Sequence, residues 1–240
     1  MIKSSLGFDP REIPWTLQEG HWPALPQHLL VADRLKWVFQ NPPEWTPELK
    51  REPNIGQRPS QAAAVLIPII LRGDQGQEPS ILLTQRTQHL STHAGQIAFP
   101  GGKVDDTDLS VEEAALREAQ EEVGLSSEFI EVLGTLPSYV TGTAFHITPV
   151  VGLVSPLHTI TPNPYEVADA FEVPLSFLMD PQNHRFHAWE REGVLRNWYS
   201  MPYLETPRLP SSPPTERFIW GATAGMIRNF YRFLLAANSL

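Results

Sequence analysis

The chain has 240 residues, with 18 Lys and Arg against 27 Asp and Glu and a formal net charge of −9. That length holds one large domain, or one domain with an extension, and 41% hydrophobic against 19% charged residues exclude wholesale disorder. The absence of cysteine excludes disulfides, thiolate metal sites and a cysteine nucleophile, and the acidic balance argues against nonspecific nucleic-acid binding, which needs basic surface.

No apolar run reaches membrane-spanning length, and the opening MIKSSLGFDPREIPW lacks a signal-peptide core. The expectation is a soluble, cytoplasmic protein with neither a membrane nor a nucleic-acid partner. Residues 1–57 read as an extension. They are rich in proline and hold four of the seven tryptophans, so most of the segment cannot be regular helix or central strand. QHLLVADRLKWVFQ is the exception, a short amphipathic helix ended before Pro42-Pro43. The tryptophans imply that the extension packs on the remainder or forms an oligomer contact, a homodimer being the simplest.

Residues 58–240 read as the main domain. AAAVLIPII and SILLTQR are buried-strand runs separated by the turn-forming RGDQGQEP, and QIAF is a short strand running into Pro100-Gly101-Gly102. SVEEAALREAQEEVGL is a helix with Ser110 and Glu113 as a capping box and Gly124 at its end. FHITPVVGLV is a further strand, and EVPLSFLM a short element near a helix start. HRFHAWERE and VLRNWYSM form a hairpin around Glu192-Gly193, and GATAGMIRNFYRFLLAAN is a closing amphipathic helix.

The chemistry concentrates in REAQEEVGL. On a helix, Glu118, Glu121 and Glu122 share an arc of about 100°. Like charges there cost a few tenths of a kcal/mol per pair, about what a solvated acidic face tolerates. A hard divalent cation, bound by oxygen ligands, reverses that sign. Val111, Ala114 and Ala115 lie on the same arc, small enough to leave room for a ligand above the helix. Upstream, the Pro-Gly-Gly loop can bring backbone close to a phosphate or a metal.

The run FPGGKVDDTDLSVEEAALREAQEEVGL resembles the Nudix box, G-x5-E-x7-R-E-U-x-E-E-x-G-U with U aliphatic. Arg117 to Leu125 match except that Ala119 stands at an aliphatic position, and upstream Leu109 and Lys103 replace the box's Glu and Gly, which implies a loop one residue longer. The preceding LLTQRTQHLSTHAGQIAFPGG is similar to the signature of the coenzyme A-cleaving branch, LLTxR(S/A)x3Rx3Gx3FPGG, with Thr87 and Ser91 as the departures. Similarity covers about residues 58–236.

The resemblance implies an α/β (α+β) Nudix fold, a mixed β-sheet in an α/β/α sandwich. It implies Mg2+ or Mn2+ held by Glu118, Glu121 and Glu122, with Gly102 or Gly101 offering backbone and Arg117 orienting a neighbouring Glu. Glu166, with Glu172 behind it, is the further carboxylate; Arg86, Gly101 and Ser91 meet the substrate phosphates. The implied reaction is hydrolysis of coenzyme A to 3′,5′-ADP and 4′-phosphopantetheine. Other Nudix substrates (ADP-ribose, a dinucleoside polyphosphate, a noncanonical nucleotide) and a catalytically inert nucleotide-binding module are the alternatives.

Overall fold

Proline placement and apolar spacing divide the described residues into twelve strands and four α-helices. The computed structural model describes residues 8–18, 22–52, 60–89, 93–191, 193–206 and 213–238, so the boundary expected at 57/58 lies outside the described residues. In the proline-rich first part lie β1 (Trp15–Leu17) and α1 (Ala32–Gln40). Next come β2 (Gln61–Ile70), β3 (Ser80–Arg86), β4 (Ile97–Ala98), β5 (Gly101–Lys103) and α2 (Val111–Val123). Then follow β6 (Ile130–Thr135), β7 (Tyr139–Val140), β8 (Phe145–Val154), β9 (Val167–Pro174) and the single turn α3 (Leu175–Leu178). The hairpin of β10 (Arg185–Arg191) and β11 (Val194–Glu205) leads to β12 (Thr215–Trp220) and α4 (Gly221–Ala237).

Eight strands make one mixed sheet along the path β4-β3-β2-β8-β6, with β5 on β2, β7 on β8 and β9 on β3. β2 is central. It runs parallel to β8 along its whole length and antiparallel to β5 at Ala63–Val65 and to β3 at Ile69 and Ile70. Pro68, which has no N–H to give, falls in the gap between those two antiparallel pairings. Alternation along β2 separates two apolar clusters: Ala64, Leu66 and Ile70 face α2, while Val65, Ile67 and Ile69 face the other core. Burial on both faces explains why the strand reads as a continuous apolar run.

The mixed α+β class expected from the sequence is what the chain adopts, with additions that the sequence reading lacked. β1, β10, β11 and β12 form a separate four-stranded sheet. α4 lies between the two sheets. It packs on β11 and β12, and on its other side Gly225 abuts the Tyr139 ring and Thr223 Oγ1 donates to Ile97 O at 3.0 Å. α4 has the uneven apolar distribution expected of it but is not a surface helix: most of its residues from Thr223 to Ala237, the polar Arg228 and Asn229 included, are buried. EVPLSFLM resolves into the end of β9 followed by α3.

The first part of the chain packs into the larger core. Leu25, Leu29, Leu30, Leu35 and Val38 are buried within it, and burying each contributes about 1.5–3 kcal/mol. Polar contacts fix the same segment: Tyr231 Oη donates to Pro23 O at 2.8 Å, and Arg34 Nη2 donates to Ala237 O at 2.8 Å at the end of α4. No helix among the described residues is long and apolar enough to cross a membrane.

Candidate active site

α2 begins and ends as its sequence dictates. Ser110 Oγ accepts from Glu113 N at 3.2 Å, and Glu113 Oε2 reaches back to Leu109 N at 2.7 Å. Gly124 closes the helix at φ 69°, a left-handed conformation that costs glycine nothing. The loop beyond is tied to this end: Thr161 N donates to Val123 O and Asn163 N to Glu122 O, each at 2.8 Å. Ala114, Ala115 and Ala119 are fully buried against the sheet. The small side chains thus let α2 approach β2 closely, and the room for a ligand expected above Ala114 and Ala115 is absent.

The glutamates of the helix occupy different environments. Glu122 is 3% exposed; its carboxylate accepts from Gly101 N at 3.2 Å and lies 3.4 Å from Arg86 Nη1. Burial raises its pKa to about 7; Arg86 and the Gly101 N–H pull the other way, while Glu118 and Glu166 add to the rise. Glu118 is also raised, chiefly by burial, against the pull of Arg117. Its carboxylate rests on the backbone of Gly102, where any Cβ would collide with it. Glu121 is different: its side chain is 57% exposed and turned to Arg117 at 3.3 Å.

Arg117 is gripped from both sides. Nε and Nη2 each donate to the Asp108 carboxylate at 2.9 Å, while Nη1 donates to Glu118 Oε1 at 3.0 Å. These bonds lower the pKa of the Asp108 carboxylate and push Arg117 higher still. Asp108 was missed in the sequence because the box places its acid at 109. Leu109 there is 91% exposed, and the longer loop delivers the residue before it instead.

Glu166 lies in the loop before β9, its carbonyl accepting from Thr87 N at 2.9 Å. Its charge acts on both Glu118 and Glu122, so the fold brings these three carboxylates into one neighbourhood. Glu172 is not part of it: it pairs with Arg72 at 2.6 Å and accepts from Ser80 Oγ. Ser91 lies outside the described residues. Among the described residues no three His, Cys, Asp or Glu side chains are gathered closely enough to hold a metal ion by themselves. What the site offers is one buried carboxylate, Glu122, and one half-buried carboxylate, Glu118, seated on Gly102, with a third acid nearby.

A family model, NUDIX domain, matches residues 61–202. The chain is 43% identical over 183 residues to a Shigella flexneri serotype 5b protein described as uncharacterized Nudix hydrolase NudL, covering 76% of this chain and 85% of that one. It is 44% identical over 167 residues to the protein of the same description from Escherichia coli O7:K1, covering 69% and 79% respectively. Among solved structures it is similar to a Nudix hydrolase from M. smegmatis, RenU, with 27% identity, a TM-score of 0.42 and coverage of 50% of this chain and 73% of that one. Nudix enzymes generally use divalent metal ions and act on nucleotide derivatives. The chain belongs to the Nudix hydrolase family and is an enzyme of the diphosphatase class.

Proposed function

We propose that the protein hydrolyses the diphosphate of coenzyme A and its derivatives, releasing 3′,5′-ADP and 4′-phosphopantetheine or its acyl form, with Mg2+ or Mn2+. The observation that carries this reading is that Arg86 and Gly101-Gly102, both from the LLTQR…FPGG segment, meet Glu118 and Glu122 of α2 in one place. The cysteine-free composition supports action in the reducing cytoplasm. In this reading residues 58–240 form the catalytic unit, and residues 1–57 are an extension packed on it.

The donor set fits a hard divalent cation. Such ions take one or two carboxylates and leave other positions to water and substrate phosphates. Glu118 and Glu122 are that pair, with Glu121 beside them on the same helix and the Gly102 carbonyl as a further oxygen; a cation would relieve the carboxylate repulsion that adds to the larger effect of burial in raising Glu118 and Glu122. A bound cation would neutralise charge building on the diphosphate as its bridging bond breaks. Arg117 holds Glu118 in place, and Glu121 holds Arg117 from the solvent side. Arg86 presents a cation to the phosphates, with Ser91 a further hydrogen-bonding group on the same segment. Glu166, whose carboxylate pairs with no cation among the described residues, takes the proton from the attacking water. Water then adds across the bridging P–O bond: its oxygen joins one phosphorus, and the bridging oxygen leaves with the other phosphate.

Incubation with coenzyme A, ADP-ribose and diadenosine polyphosphates in parallel, with chromatography of the products, tests the assignment. Preferential appearance of 3′,5′-ADP from coenzyme A supports it. Cleavage of ADP-ribose or a dinucleotide with coenzyme A left intact overturns the substrate class while leaving the family in place. Silence on the whole panel likewise overturns the coenzyme A assignment.

A further inference from the structure

Arg86 reaches Glu122 from an irregular place in the sheet. β3 pairs with β9 in regular antiparallel register from Ser80↔Pro174 to Gln85↔Asp169, and then Arg86 pairs with Val167, leaving Ala168 as an extra residue. A bulge of this kind bends the strand and re-aims the side chains beside it. Immediately after it, Thr87 N bonds Glu166 O, so the same irregularity places both Arg86 and Glu166.

The two residues that form the last regular pair before the bulge are held from the other sheet by one side chain. Arg217 on β12 is 7% exposed. Its Nη1 donates to Gln85 Oε1 at 3.0 Å, its Nη2 pairs with Asp169, and its Nε donates to Glu205 Oε2 at 2.7 Å. The guanidinium carbon Cζ lies over the Phe171 ring, 4.2 Å from its centroid. A planar fork with several donors can meet acceptors on three strands at once; a lysine cannot. Side chains alternate along β3, so Gln85 turns toward Arg217 while Arg86 turns to the α2 face.

We propose that Arg217 is the positioning residue for Arg86: by clamping Gln85 and Asp169 it fixes the bulge and so aims the Arg86 guanidinium over Glu122. This rests on the reading of Arg86 as a phosphate-binding cation. Arg217 touches no substrate in this account and acts only through Arg86 and its neighbours.

The test is a double-mutant cycle on coenzyme A hydrolysis, with melting followed alongside. Arg217→Gln lowers kcat/KM about tenfold, mostly through KM, the size expected of residues coupled through one network. In an Arg86→Ala background the same substitution changes kcat/KM by less than about twofold, because the group it positions is gone. If Arg217→Gln fails to fold, Gln85→Leu removes one limb of the clamp and gives a smaller loss with the same dependence on Arg86. Equal losses in both backgrounds, or a melting shift with kinetics intact, overturn the proposal while leaving the Arg86 reading standing. An Arg86→Ala enzyme with unchanged KM overturns both.

Discussion

Arg117 meets the Asp108 carboxylate, the Lys103 carbonyl, Glu118 and Glu121 together. The bidentate bond to Asp108 is the anchor, since that carboxylate is 3% exposed while Glu121 is 57% exposed and screened by water. Asp108→Asn keeps the shape but puts a donor against the guanidinium, leaving Arg117 free to swing and Glu118 without its orienting partner. Outer partners of a metal-ligating group typically matter 10–100-fold, so activity falls by about that factor while circular dichroism stays unchanged. Leu109→Glu, at the position where the family pattern expects the acid, leaves activity as it was, because that side chain points into solvent. Steady-state kinetics of the two variants side by side check this. Full activity in the Asp108 variant sinks the assignment.

The meeting of β5 with β2 and α2 depends on two glycines with different duties. At Gly101 a Cβ would come within 2.6 Å of Val65 Cα, so Gly101→Ala pushes backbone from backbone and unseats β5. At Gly102 the nearest obstacle is the Glu118 carboxylate, a side-chain end rather than backbone, so Gly102→Ala displaces that group first. Thermal melting and kinetics together separate them: Gly101→Ala lowers stability by about 1–3 kcal/mol, whereas Gly102→Ala loses activity with a melting point near that of the parent. Elements such as these were legible in the sequence because their signals are local. Ser110, Glu113 and Gly124 mark the ends of α2, the apolar runs mark β2 and β3, and the Glu-Gly pair separates two alternating runs that become β10 and β11. What was not legible depends on distance along the chain. Nothing near Thr215 announces that Arg217 will reach Gln85 and Asp169, and nothing near Glu48 announces its partner 180 residues away. The expectation of free space above Ala114 and Ala115 failed for a related reason: small residues on a helix face serve close packing as readily as a ligand, and only the third dimension decides.

Across the molecule, α4 and the first part of the chain are joined by a buried charge. Arg228, 1% exposed, donates from Nε to Glu48 Oε2 at 2.9 Å and from Nη1 to His184 Nδ1 at 3.3 Å, with the Tyr199 and Tyr231 rings 5.1 and 5.3 Å away. Stripping Glu48 from such a group costs about 3–5 kcal/mol. A chain beginning at residue 58 loses that partner together with Leu25, Leu29, Leu30, Leu35 and Val38. The combined loss, about 10–20 kcal/mol, is as large as the whole margin of roughly 5–15 kcal/mol that holds a domain folded. Expression of residues 58–240 alone therefore yields no cooperative melting transition; a sharp transition close to that of the full chain contradicts this. His184 gives the same junction a pH signature. Burial lowers its pKa from 6.5 to about 3, with Arg228 adding to the effect. The unfolded chain therefore takes up a proton that the folded one refuses, and stability from this residue is lost as pH falls from about 6.5 toward 3. At pH 5 the wild type has lost about 2 kcal/mol that His184→Gln retains, measurable by urea unfolding of both at pH 7.5 and pH 5.

The central claim is that the carboxylates of α2 seated at Gly101-Gly102, Glu122 buried and Glu118 half-buried, run the cleavage of coenzyme A. The most direct test is the rate of 3′,5′-ADP release from coenzyme A by the wild type and by Glu122→Gln, each with Mg2+, with Mn2+ and with a chelator. The account predicts cation-dependent release by the wild type and a loss of about a hundredfold or more in Glu122→Gln, with the fold of the variant intact by circular dichroism. Cleavage by Glu122→Gln at the wild-type rate, or cleavage indifferent to the chelator, would contradict it.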